Sequence, residues 1–139
     1  MQQNEMKLEF DSRSCNEGFA RVTVAAFMTQ LNPTLEEVAD VKTAVSEAVT
    51  NAIIHGYDEH DGMITLAGEI YDRTVELTVS DTGSGIPDIR RAREPLFTGK
   101  PEMERSGMGF TIMETFMDSI DVESEVGKGT RVTMRKRLE

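Results

Sequence analysis

Cysteine is almost missing from this 139-residue chain, where Cys15 stands alone. A single thiol excludes an internal disulfide, and with it goes the expectation of a cytosolic address. Long apolar runs are missing too: no window approaches the roughly 18 consecutive apolar residues of a membrane span. The first residues, Met1-Gln2-Gln3-Asn4-Glu5, have neither a basic start nor an apolar stretch behind them, so no secretory signal is read there. Positive charge is scarce, with 15 Lys+Arg against 25 Asp+Glu and a net charge of −10. That argues against non-specific nucleic-acid binding, which needs clustered cations to displace counterions from phosphates. A macromolecular partner is expected to meet this chain through a basic surface. There is no internal repeat, low-complexity tract or linker, so one domain over 1–139 is expected. At this length roughly two-thirds of the unfolded surface is buried on folding, enough for a core without metal or disulfide.

What is present reads as alternating strands and helices. Met6 to Phe10 alternates apolar and polar as a half-buried strand does. Ser14 to Glu17 has the form of a capping box and opens a helix over about 15–30, with Phe19, Val22, Ala26 and Phe27 at helical spacing. Thr34 to Glu37 is a second capping box. The helix it opens carries an apolar stripe at Leu35, Val38, Val41, Val45, Ala48 and Ala52, with Gly56 as its C-cap. Ile64, Leu66 and Ile70, then Val75, Leu77 and Val79, alternate on either side of Asp72-Arg73 and predict an antiparallel hairpin. A short helix is expected at about 89–93 and a polar loop over 95–107. A helix follows over 108–117 with Phe110, Met113, Phe116 and Met117 inward, then two strands around Gly127-Lys128-Gly129. The order β-α-α-β-β-loop-α-β-β predicts an α+β fold with helices on one face of a largely antiparallel sheet.

Three polar patterns and one dipeptide carry the chemistry. Glu47, Asn51 and His55 recur every four residues on the second helix, opposite its apolar stripe. Such a face is as readily a solvated one. Asn51, however, offers a neutral oxygen to Mg²⁺, which prefers oxygen ligands supplied partly by phosphate and water. Glu47, one turn away, is placed to accept a proton from an attacking hydroxyl. His55 and His60 lack a third ligand at metal-site spacing. Asp81-Thr82-Gly83-Ser84-Gly85 follows a strand: a carboxylate at the strand end can accept from an amino group, while Gly83 and Gly85 let backbone approach a flat ring. Alone it is also an ordinary tight turn. Ser106-Gly107-Met108-Gly109 leads into a helix, where exposed N–H groups make an anion site, and Lys100 and Arg105 lie just upstream for phosphate oxygens. Gly107-Met108-Gly109 lacks the third glycine of a dinucleotide fingerprint, and Gly99-Lys100 is no P-loop. Gly129-Thr130 opens the last strand and alone is a turn.

Together these four pieces resemble the GHKL family of ATP-binding proteins. Glu47 through Gly56 is similar to that family's N-box, Asp81 through Gly85 to its G1 box, Gly107-Met108-Gly109 to its G2 box, and Gly129-Thr130 to its terminal Gly-Thr. The resemblance implies a two-layer α/β sandwich of the Bergerat type on a mixed, mostly antiparallel sheet, with a mobile lid between Pro95 and Ser106. It implies ATP or ADP with Mg²⁺, Asp81 on the adenine amino group, Asn51 on the metal, and the Gly107 and Gly109 backbone on phosphates. Thr98, Ser106, Met108 and Thr130 join Gly83, Gly85, Lys100 and Arg105 in the implied nucleotide site.

Ser46 through Tyr57, Glu94 through Thr98, Lys100 through Glu102, Glu104 through Glu114, and Phe19 through Ala25 resemble the anti-sigma serine kinases of sporulation. That resemblance implies a homodimer that holds a sigma factor inactive and phosphorylates a serine on an anti-anti-sigma antagonist. Glu47 would be the general base and Arg21 a partner contact, though Arg21 also reads as a solvated helix arginine. The chain departs from the family at Gly99, where a threonine is expected in the lid, and at Thr82, where an acidic residue is usual; neither removes a ligand. Histidine kinases share the boxes but add a phospho-accepting histidine helix, for which there is no room. Two other readings stand beside the kinase. One is a nucleotide-gated clamp that sequesters sigma without phosphotransfer, against which Glu47 beside Asn51 argues. The other is a related stress-response anti-sigma kinase.

Overall fold

Alternation along the strands decides which side of the sheet meets the helices. In the computed structural model, residues 3–56, 62–83, 85–86, 93 and 109–139 are described. The strands are β1 (Asn4–Asp11), β2 (Met63–Tyr71), β3 (Thr74–Asp81), β4 (Ser119–Glu125) and β5 (Gly129–Arg137). The helices are α1 (Asn16–Met28), α2 (Leu35–Asn51) and α3 (Gly109–Phe116). The sheet runs β1-β2-β3-β5-β4, and every pairing is antiparallel, a step beyond the mixed sheet expected. Leu8, Leu66, Val79, Val132 and Val122 are aligned across all five strands, so one apolar row crosses the sheet. Leu66, Val79 and Val132 in it are buried, each contributing about 1.5–3 kcal/mol by leaving water.

The β2–β3 hairpin turns on Asp72 and Arg73, both with positive φ (46° and 58°). Paired positive φ values match the right-handed twist of the flanking strands. Arg73 is a bulky residue for that conformation, and its surroundings hold it there. Its guanidinium donates to the Leu31 carbonyl at 3.0 Å and to the Glu139 carbonyl, and its own carbonyl accepts from Leu138 N–H at 2.7 Å.

The Thr34 capping box forms as expected. Thr34 Oγ1 accepts from Glu37 N–H at 3.0 Å, and Glu37 Oε1 accepts from Thr34 N–H at 2.9 Å. The Ser14 box does not. Cys15 is the N-cap residue with helical angles and no side-chain cap bond, because a turn closed by Asn16 N–H on the Arg13 carbonyl already curls the chain there. Of the apolar residues expected inward on α1, Phe27 is buried, but Phe19, Val22 and Ala26 are not. Ala20, Val24, Phe27 and Met28 are buried, while Phe19 (51% exposed) and Val22 (63%) face out. On α2, Val41, Val45, Ala48 and Ala52 are buried with Ala44 and Val49, but Leu35, in the first turn, is 90% exposed. Gly56 does not cap α2. Ala52 keeps helical angles, with its N–H shared between the Ala48 and Val49 carbonyls, and a π-helical segment continues over Ala52–Gly56.

Three contacts tie the layers together. Gly68, on the inner face of β2, leaves room for Phe27 of α1: a Cβ there would lie 3.1 Å from the ring. Lys136 reaches from β5 to donate to the Phe116 carbonyl at 2.8 Å, satisfying an orphan acceptor at the end of α3, and lies 3.7 Å from Asp40 of α2. The short helix expected at about 89–93 and the loop over 95–107 fall outside the described residues, except Arg93. Arg93 Nε donates to Glu114 Oε1 on α3 at 2.9 Å.

Candidate nucleotide site

The last residue of β3 is the focus of the site. Asp81 is 9% exposed and is the buried charged residue among those described. Alternation places it on the inner face, in register with Ile64 of β2 and Thr130 of β5. Desolvation raises its pKa above 3.8, opposed by backbone N–H bonds from Gly83 and Thr130. Gly83 N–H donates to Asp81 Oδ1 at 2.9 Å. A buried carboxylate has a strong need for donors, and two N–H groups leave lone pairs over for a ligand amino group.

One glycine lets the backbone close on Asp81, and a second seats the loop that follows it. Gly129 has φ +123°, and a Cβ there would lie 2.0 Å from the Asp81 carbonyl oxygen. Gly85 has φ +79°, and its Cβ would lie 2.3 Å from the Glu125 carbonyl oxygen. The space beside Gly85 is thus filled by the β4–β5 hairpin, so this glycine serves the seating of its loop on that hairpin. Ile86 N–H then donates to Ser124 Oγ at 2.6 Å. Ser124 also lies 3.0 Å from the Gly129 carbonyl and 2.9 Å from Thr130 Oγ1. Ser124 was not among the residues read from sequence; as a half-buried polar residue on the inner row of β4, it was signalled only by that strand's alternation.

The second part of the site is where α2 meets α3. Glu47 and Asn51 lie one turn apart on α2, and both are half-buried. A Cβ on Gly109, the first residue of α3, would lie 3.0 Å from Asn51 Nδ2 and 3.3 Å from Oδ1. The structure therefore brings the Asn51 carboxamide to the N-terminal end of α3, as a phosphate and metal site requires. The residues present fit a nucleotide: a buried acceptor at Asp81, a neutral oxygen at Asn51, and a helix start at Gly109 without a Cβ to obstruct it. His55 lies within the π segment, and its side chain lies outside the described residues. So do Thr98, Lys100, Arg105, Ser106, Gly107 and Met108. Arg21 stands apart from the site on the exposed side of α1, 4.0 Å from Glu17.

An open cleft of about 550 Å³ lies at the same end of the sheet, against Thr65, Ser80, Asp81, Glu123, Thr130 and Arg131. Its lining combines Thr65, Ser80 and Arg131 of the outward face with Asp81 and Thr130 of the inner face, so the cleft lies at the end of the sheet. Among the described residues, no helix is long and apolar enough to cross a membrane.

A helical layer on an antiparallel sheet, with Asp81 on the inner face of the sheet and Asn51 against the start of α3, is the arrangement of an ATPase domain of the histidine kinase type, and the family model of the histidine kinase-like ATPase domain matches residues 12–136. The solved RsbU and RsbW domains of a Mycobacterium tuberculosis protein share the fold at TM-score 0.70 and 20% identity, over 97% of this chain and 32% of that one. The anti-sigma F factor of Geobacillus kaustophilus is 62% identical over 136 residues, covering 97% of this chain and 93% of that protein. The anti-sigma F factor of Clostridium kluyveri is 61% identical over 136 residues, covering 98% and 96%. The chain belongs to the anti-sigma F factor family, within the histidine kinase-like ATPases.

Proposed function

We propose that this chain is an ATP-dependent protein serine kinase that holds a sporulation sigma factor inactive and phosphorylates an anti-anti-sigma antagonist of that complex. The observation that carries the reading is the meeting of Asn51 with Gly109, one turn beyond Glu47. It sets a metal-type oxygen and a proton acceptor beside a helix start suited to phosphate. Asp81 would accept from the adenine amino group, and Asn51 Oδ1 would hold Mg²⁺, which supplies charge neutralisation on the phosphates. The serine hydroxyl of the antagonist attacks the γ-phosphorus, a new O–P bond forms, the bond to the β-phosphate oxygen breaks, and ADP leaves. Glu47 accepts the hydroxyl proton, help worth about 10²–10⁴-fold. Lys100 and Arg105 are assigned to the phosphates, where positioning and electrostatics carry most phosphoryl-transfer catalysis. Arg21, exposed on α1, is assigned to partner contact. A homodimer in the cytoplasm completes the reading, carried by the family resemblance and the single cysteine.

The test is transfer of labelled γ-phosphate from ATP to serine of the antagonist, with Mg²⁺, beside Glu47→Ala. Transfer that is lost in the variant while ATP binding persists supports the kinase and Glu47 as its base. Tight Mg-ATP binding with no transfer replaces it with a nucleotide-gated clamp that sequesters the sigma factor.

A further inference from the structure

Ser124 joins three parts of the site through one oxygen. Its Oγ accepts from Ile86 N–H at 2.6 Å, fixing the loop that carries Gly83 and Gly85. Its O–H donates to the Gly129 carbonyl at 3.0 Å, and Thr130 Oγ1 lies 2.9 Å away, able to donate to the remaining lone pair. The Gly129 carbonyl and the Thr130 N–H belong to one peptide unit, and that N–H donates to the Asp81 carboxylate. A hydroxyl donating to the carbonyl of an amide polarises the N–H at its other end, so the two bonds reinforce each other. The same contact fixes the plane of the 129–130 peptide and thus the direction from which Asp81 is held. Gly129 lies too close to the Asp81 carbonyl for any side chain, so backbone and hydroxyl alone must do this.

We infer that Ser124 is a positioning residue for base recognition: acting through the Gly129–Thr130 peptide and the Ile86 amide, it aims the Asp81 carboxylate at the exocyclic amino group of the nucleotide. The inference rests on the proposed nucleotide reading and extends it to a residue that touches no ligand. Its readout is selectivity for the amino group, which a merely structural serine would not change.

The experiment measures equilibrium binding of ATP and of purine riboside triphosphate, which lacks the 6-amino group, to the full chain and to Ser124→Ala and Ser124→Thr. Thermal unfolding of each variant is recorded alongside. Ser124→Ala is expected to weaken ATP about 3–10-fold, the effect of one hydrogen bond, and the amino-free analogue less than about 2-fold. Ser124→Thr keeps the hydroxyl and is expected to restore the preference for ATP. Ser124→Cys, which holds the volume with a poorer donor, is expected to lose preference in the same direction as alanine. Equal losses for both nucleotides, an unchanged preference, or no recovery with threonine would overturn the inference and leave the nucleotide site standing. A wild-type chain that does not bind ATP, or binds both nucleotides alike, would overturn the assignment of Asp81 and this inference with it.

Discussion

Gly109 of α3 is packed against the carboxamide of Asn51 on α2, with only 3.0 Å between Asn51 Nδ2 and the place a Cβ would occupy. Alanine there forces the carboxamide to give by a few tenths of an ångström. Alanine in a helix is otherwise favoured over glycine by up to about 1 kcal/mol. Gly109→Ala is therefore expected to hold or raise the thermal midpoint while weakening Mg-ATP on the order of tenfold, since small displacements at a reacting site are costly. Calorimetric titration beside a melting curve separates the two effects; a parallel loss of both would reduce Gly109 to a packing residue.

Asp81 links acid stability to nucleotide affinity. Its folded pKa is raised above 3.8, chiefly by desolvation. The ionised form is thus disfavoured by folding: the cost is fully present above the folded pKa, is relieved as pH falls through it, and is gone below 3.8. Urea unfolding of the nucleotide-free wild type and Asp81→Asn at several pH values is expected to show the wild type gaining on the variant as pH is lowered from neutrality. ATP affinity of the wild type is expected to move the opposite way, because protonation removes the charged acceptor. At neutral pH, Asp81→Asn is expected to cost about 1.5–3 kcal/mol of binding.

Glu37 behaves in the reverse sense. Its pKa is lowered by backbone bonds from Thr34 and from Glu139, whose N–H donates to Glu37 Oε2 at 2.9 Å. Its stabilisation is present above 4.5 and is lost as pH falls through the lower folded pKa. Glu37→Ala is expected to destabilise by about 1 kcal/mol at pH 7, as loss of a cap does. The gap between variant and wild type, followed by denaturant titration, should close on acidification; a gap independent of pH would mean the carboxylate charge contributes nothing.

On the outward face of the sheet, Arg135 Nε donates to Glu76 at 2.6 Å and Nη1 to Asp121 at 2.8 Å, while Tyr71 OH donates to Glu76 at 3.1 Å. The group is over a third exposed, so screening limits its worth. Arg135→Met, which keeps the apolar stem, is expected to cost about 0.5–1 kcal/mol, less at 1 M salt, with ATP affinity unchanged. A shift in ATP affinity would connect the outward face to the nucleotide side.

The hairpin at Asp72-Arg73 and the cap at Thr34 were legible because each is written within a few residues: alternation interrupted at one dipeptide, and a Thr and Glu three apart. α1 was misread because apolar residues occupy both of its sides. Phe19, Val22 and Ala26 are spaced as helically as Ala20, Val24 and Phe27, and packing against α2 and the sheet selects the second set, of which Phe27 alone was expected inward. Ser14 and Glu17 had the right types, but the turn before them sets the backbone angles first. The π segment after Asn51 and the role of Ser124 depend on contacts between distant elements, Ser124 with Ile86 and Gly129, for which local sequence gives no period or signature. Asp81, Asn51 and Gly109 were legible as types of chemistry, and the fold supplied the burial of Asp81 and the meeting of Asn51 with Gly109.

Asp81 closes β3, the strand with two strands on either side of it. Amides in such a strand are expected to exchange with solvent through opening of the whole domain, and those of β1 and β4 at the edges through local fraying. The acceptor proposed for the base is therefore carried by the central strand of the sheet. Its backbone support cannot be dismantled piecemeal, because losing the strand means losing the sheet, whereas its charge is removed in the folded state by protonation.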